Sequence, residues 1–186
     1  MKSMVLTAGL AVAIGFSLPA YALEDSKTGL KVELGSDFVV KRDATQDASY
    51  DVLFDVDPSS GKPRPVGTPR HLCGVSFRAA PENARFTQEQ INQMTSSEAW
   101  NMVARRSISA TIDLETEEPL HADGIVGVIF TGIPKSGSDR KNVRLIMSLV
   151  QTPRGGTTVT CASTKADFGK VTRIFHAIQK GVTPPR

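Results

Sequence analysis

The chain has 186 residues, with 22 Lys and Arg against 19 Asp and Glu, a net charge of +3, 40% hydrophobic and 22% charged residues. A chain of that size can bury a hydrophobic core, and the composition excludes a disordered or collagen-like polymer. The charge is too small to argue for a nucleic-acid partner, even with a pI near 9.0.

The chain opens with the basic start Met1-Lys2-Ser3, an apolar run from Met4 to Leu18, Pro19, and the small-residue site Ala20-Tyr21-Ala22. This order predicts a signal peptide over 1–22, cut between Ala22 and Leu23. The apolar run is too short to span a bilayer, which takes about 20 residues. No Cys stands at the cut to carry a lipid, and no later segment is apolar enough to be a membrane span. The expectation is a bacterial periplasmic or secreted protein whose mature part, 23–186, is a single domain.

Alternation of apolar and polar residues dominates the mature part. A Thr28-Gly29 turn leads into Leu30, Val32 and Leu34, and Phe38 to Lys41 is a second strand. Tyr50, Val52, Phe54 and Val56 mark a third. Asp57 to Arg70 carries four Pro and four basic residues, which predicts a long exposed loop. Cys73, Val75 and Phe77 share one face of the next strand.

Thr87-x-x-Gln90 is a capping box ahead of Ile91, Met94, Ala99, Met102 and Val103, which predicts a helix carrying those apolar residues. A second box, Thr95-x-x-Glu98, predicts a break in its middle. Arg105 and Arg106 suit its C-terminal end. Ile108, Ala110, Ile112 and Leu114 alternate as a fifth strand. Ile125 to Ile133 is apolar on both faces and is expected at the centre of the sheet. Val143 to Leu149, the turn Pro153-Arg154-Gly155-Gly156 and Thr157 to Ala162 predict a hairpin with Cys161 roughly opposite Met147. A last helix begins at the box Thr164-x-x-Asp167 and buries Phe168, Val171, Ile174, Phe175 and Ile178. Gly181 ends it.

The fold class is therefore α+β, a mainly antiparallel sheet of about seven or eight strands with two packed helices. The order resembles the PsbP-like α/β/α sandwiches, named for the extrinsic photosystem II protein. The Thr28-Gly29-Leu30 opening strand, the strand pair from Ile125 to Leu149 and the closing Phe168–Ile178 helix carry the resemblance. It implies a shared scaffold over most of the mature chain, and no catalytic set carries over.

In an oxidising compartment the two cysteines, Cys73 and Cys161, are expected to form one disulfide. It closes a ring of about 89 residues, for which the chain-entropy argument gives roughly 4–5 kcal/mol. His71, two residues before Cys73, offers the rival reading of an activated thiolate. Both cysteines fall on apolar faces, so a bridge requires the strand of Cys73 to lie beside the last strand.

Other motifs carry less. Asp167-Phe168-Gly169 lacks the Gly-rich loop and catalytic segment of a kinase, and Gly61-Lys62 lacks the spacing of a phosphate loop. Asp113, Glu115, Glu117 and Glu118 form an acidic run whose odd positions share a strand face. It could offer hard oxygens to Ca²⁺, but reads better as a solvated face. His71, His121 and His176 are far apart, and a zinc site would need them to converge with a carboxylate such as Asp123. No catalytic, cofactor or metal residue is assigned. Basic residues recur as Lys62, Arg64 and Arg70, as Lys135, Arg140 and Lys141, and as Lys170, Arg173 and Lys180. These read as solvated faces, with an acidic partner or anionic surface as the alternative.

The favoured function is a non-enzymatic periplasmic binding or accessory protein, in a role such as envelope maintenance. Its partner would be an envelope protein or small ligand. The alternatives are a carrier of a small apolar or anionic ligand held between sheet and helix, and a hydrolase assembled from distant residues. N-terminal sequencing of the exported form should give Leu23 first, and a full-length membrane-embedded product would overturn the compartment.

Overall fold

The computed structural model describes residues 21–43, 49–66 and 71–186. The predicted apolar leader up to residue 20 lies outside them, as does Arg70. A seven-stranded antiparallel sheet runs in the order β3-β4-β5-β9-β8-β7-β6. Its strands are β3 (Phe38–Arg42), β4 (Val52–Pro58), β5 (Cys73–Ala79), β6 (Ile112–Ala122), β7 (Ile125–Pro134), β8 (Val143–Thr152) and β9 (Gly155–Thr164). A second sheet of three strands has the order β1-β2-β10, formed by β1 (Tyr21–Glu24), β2 (Lys31–Leu34) and β10 (Val182–Thr183). The helices are α1 (Gln88–Thr95), α2 (Glu98–Ile108) and α3 (Phe168–Lys180). The class is α+β, with three helices among the described residues where the sequence suggested two.

The alternation selects what is buried. Val52, Phe54, Val56, Cys73, Val75 and Phe77 lie in one core with Val171, Phe175 and Ile178 of α3 and with Leu30, Val32 and Leu34. Burying each large apolar side chain contributes about 1.5–3 kcal/mol. The opening strand belongs to the small sheet rather than the large one. Its partners β1 and β10 are too short, at four and two residues, to show a clear period. The predicted cleavage bond Ala22–Leu23 lies inside β1.

Two contacts hold the small sheet in place. Glu33 N–H donates to the Gly181 carbonyl at 2.8 Å. A Cβ on Gly181 would sit 2.3 Å from the Glu33 carbonyl oxygen, so only glycine allows β2 this close to the end of α3. The side chain of Asp25, 1% exposed, accepts from Thr28 N–H and Oγ1 at 2.7 Å and pairs with Arg42 of β3 at 2.6 Å. Burial disfavours its charge, yet the Thr28 hydrogen bonds and Arg42 outweigh burial and hold its pKa below the usual carboxylate range.

The other sheet face is covered over β7 and β8 by α1 and α2. Thr87 and Gln90 form the reciprocal capping box, and the break comes after it. The cap of α2 is Ser97, whose side chain accepts from Trp100 N–H, rather than Thr95. Thr95 is committed elsewhere, donating to the Asn92 and Val126 carbonyls. The break also re-aims the second half. Trp100, Ala104 and Ile108, four residues apart, pack on Val128 and Phe130. Met94, Met102 and Val103 are exposed at 38%, 58% and 67%, and Ala99 is exposed too. Two apolar stripes competed there, and the one carrying Trp won. Helix α2 also runs through Ile108, so β6 begins only at Ile112 and Ala110 is an exposed turn residue. At α3, Asp167 N–H donates to Thr164 Oγ1 as half of the expected box, and Asp167 is the cap residue.

β7 is next to the edge, not central. Its two apolar faces are explained by cover on both sides: Ile125 and Ile129 join the α3 core, Val128 and Phe130 the α2 core. Pro119 is tolerated in β6 because that strand is an edge. The register of β6 against β7 shifts between Leu114 and Thr116. This bulge puts Asp113 opposite Ile133 and Glu117 opposite Phe130, on different faces, so the odd acidic positions do not form one row.

β5 lies beside β9, with Cys73 opposite Cys161 and the two sulfurs bonded. The partner of Cys161 on β8 is Ile146, one residue from the expected Met147. Ala162 N–H donates to Leu72 O, which makes the next pair the hydrogen-bonded one and Cys73–Cys161 a narrow pair. Their Cα atoms are 4.1 Å apart, and both residues are fully buried. The activated-thiolate reading beside His71 therefore fails. Cys73→Ser and Cys161→Ser should each destabilise by about 2–5 kcal/mol in denaturant titrations, and the double variant should be little worse than either. Additive losses would mean the residues act separately.

Candidate functional site: a basic groove at one end of the sheet

β4, β7 and β9 end, and β5, β8 and α3 begin, at the same end of the large sheet. Three connecting segments meet there: 58–66, 135–142 and 164–170. Together they hold seven Lys and Arg, namely Lys62, Arg64, Lys135, Arg140, Lys141, Lys165 and Lys170, against Asp139 and Asp167. The excess in these loops is larger than the +3 of the whole chain, so the remainder is slightly acidic.

The segments border two adjoining open depressions, here called the lobes of one groove. One lobe, about 450 Å³, lies between Lys62, Pro63, Arg64 and Pro65 on one side and Thr164, Asp167 and Lys170 on the other. The second, about 690 Å³, is bounded by Val66, Pro134, Ser136, Arg140, Val143 and Leu145. Val66 and Thr164 line both. Lys165 N–H donates to the Asn142 carbonyl at 2.6 Å and ties two of the segments together.

Ion pairs balance part of the charge. Lys170 meets Asp167 at 3.0 Å, and Asp113 takes Lys135 at 3.7 Å and Arg140 at 3.4 Å. These exposed pairs are worth at most about 1 kcal/mol each. Lys62 and Arg64 make no ion pair among the described residues. Two further acids of the predicted run are also paired, Glu115 with Arg144 at 3.1 Å and Glu117 with Arg105. A calcium row is not assembled.

The Pro-rich wall is anchored at both ends. Asp57 and Pro58, expected in the loop, belong to β4. Ser59 N–H donates to Asp37 O at 2.8 Å and its hydroxyl to Ser36 O at 2.7 Å. Where the chain returns, Leu72 N–H donates to Asp57 Oδ1 at 2.8 Å, and His71 Nδ1 lies 2.7 Å from Asp55 Oδ1. Burial pushes the Asp55 pKa up. His71 opposes that shift, and the negative charges of Asp43 and Asp57 add to it.

His121 is exposed on β6, and His176, exposed on α3, meets Phe175 edge-on at 5.3 Å. The Asp123 carbonyl accepts from Arg186 at 2.6 Å. No group of three His, Cys, Asp or Glu placed to hold a metal occurs among the described residues. One space among the described residues, between the large sheet and the C-terminal end of α3 and bounded by Ser148, Thr157, Val159, Gln179 and Val182, is about 30 Å³. That is the size of a water, not of a carried ligand.

No protein-family model and no curated protein matches the sequence. Among solved structures, cyanobacterial PsbP from Synechocystis sp. PCC 6803 superposes with a TM-score of 0.53 over 95% of this chain and 98% of that one, at 12% identity. The fold is PsbP-like. A protein of unknown function from Pseudomonas aeruginosa gives a TM-score of 0.44 at 9% identity, covering 90% of this chain and 98% of its own. With cyanobacterial PsbP, at 12% identity, the fold alone is shared. The basic groove is read from this chain's own residues.

The Asp55 shift has a testable sign. A raised native pKa means the folded state binds more protons than the unfolded one as pH falls through that value. Relative to Asp55→Asn, the native sequence should therefore gain stability from neutral pH down to the ordinary carboxylate range, with the full gain below it. Urea midpoints of both proteins across that range check this, and a constant difference would contradict it.

Proposed function

We propose that this chain is an exported, non-enzymatic accessory protein that holds an envelope partner at its basic end. The observation that carries the reading is the meeting of three sequence-distant basic segments around one groove. Concave surfaces with an apolar lining and a polar rim are where proteins hold ligands and partners. A disulfide between two buried cysteines suits an oxidising compartment, and the PsbP-like scaffold is compatible with one. The carrier alternative draws no support from the water-sized space beneath α3. The hydrolase alternative draws no support from the one close His–carboxylate contact among the described residues, since His71 and Asp55 brace the return of the Pro-rich wall.

Site-specific photo-crosslinking in the source cell tests this. A p-benzoylphenylalanine at Val66, in the groove, should give a discrete adduct with an envelope protein. The same probe at Arg85, in the short turn Pro81–Arg85 beyond the opposite end of β5, should not. Equal adducts at both sites, or none at Val66, would reject the basic end as the binding surface.

A further inference from the structure

Resting on that reading, we infer that the groove seats an acidic peptide segment of a partner protein, with an apolar side chain pressed between Val66 and Leu145. Charge supplies the first part. The unpaired Lys62 and Arg64 stand on one rim, and Arg140 and Lys170 on the others carry only exposed ion pairs. An incoming carboxylate can replace Asp113 or Asp167 on these cations at little cost, because such exposed pairs are weak.

The walls supply the second part. Pro63, Pro65, Val66, Pro134, Val143 and Leu145 are half-buried, so the interior offers apolar contact beneath the charged rim. Ser136, Ser138 and Thr164 add hydrogen-bonding groups. The lobe volumes fall within the roughly 300–1,000 Å³ of ligand clefts.

A flat anionic membrane fits less well. Membrane-surface proteins lead with protruding apolar side chains. Among the described residues, the exposed large apolar ones, Val39, Tyr50, Met94, Met102 and Val103, lie outside these three segments. Asp139, exposed on the 135–142 segment, would also meet a uniformly anionic plane. A peptide lying in the groove can place its acids beside the cations and avoid that carboxylate.

The test is fluorescence anisotropy with the mature, disulfide-intact chain and a labelled peptide alternating Glu, Asp and Leu. Its Gln-for-acid counterpart and phosphatidylglycerol vesicles serve as the other arms. The acidic peptide should bind and the Gln peptide should not. Binding should weaken by about tenfold in the Lys62→Glu/Arg64→Glu variant. It should also weaken between about 0.1 and 1 M salt, where the screening length falls from about 10 to 3 Å. Both side chains are exposed, and circular dichroism of the variant verifies its fold. Equal binding of the peptide to native and variant protein overturns the inference. Vesicle binding without peptide binding also overturns it, while leaving the basic end as a binding surface. No binding to either probe together with no adduct at Val66 sinks both.

Discussion

Cys73 faces Cys161 across the β5–β9 ladder, and the rest of the architecture depends on that pairing. Every other neighbouring pair in the seven-stranded sheet is consecutive in sequence. β3, β4 and β5 form one local unit, and β6 to β9 form a meander that local turns can build. Only β5 against β9 joins them, across an 88-residue separation. Closing so long a loop costs entropy before any contact forms, and a covalent bond at a buried position offsets part of that cost. The ladder also sets which loops become neighbours. Because β5 starts where β9 ends, the Pro-rich segment before β5 is brought beside the segment that starts α3.

Much of the fold was legible because its cause is local. Alternation at Val52, Phe54 and Val56, and at Cys73, Val75 and Phe77, comes from the two-residue pleat and needs no knowledge of neighbours. The apolar spacing of α3 and the Thr87–Gln90 cap are equally local. The adjacency of the cysteine strands was also within reach, because a disulfide is a distance constraint. What stayed hidden has non-local causes. The choice between the Met102–Val103 and the Trp100–Ala104–Ile108 stripes was made by Val128 and Phe130 of β7, not by the helix. The bulge at Glu115 has no marker in the acidic run itself.

The candidate site was legible only in pieces. Lys62, Arg64, Lys135, Arg140, Lys141 and Lys170 each stood out in the sequence, yet their segments are separated by whole strands. Periodicity cannot tell a solvated basic loop from one wall of a groove, because the distinction lies in which sheet end each loop leaves. Arg173 and Lys180, grouped with Lys170 in the sequence, sit on later turns of α3 and do not line the groove. His71, which suggested a thiol partner in sequence, instead braces the chain beside Asp55.

The bulge and proline of β6 bear on how copies of this chain meet one another. A free sheet edge is a template on which an identical strand can add, and repeated addition yields fibres. Here Pro119 removes one N–H from the edge strand, the bulge at Glu115 bends it, and Glu117 and Glu118 would face like charges in an antiparallel or parallel copy. The opposite edge, β3, ends in Lys41 and Arg42. Arg42 is already engaged by Asp25, so the kink and the missing donor, rather than charge alone, are what oppose addition of a further strand at β6.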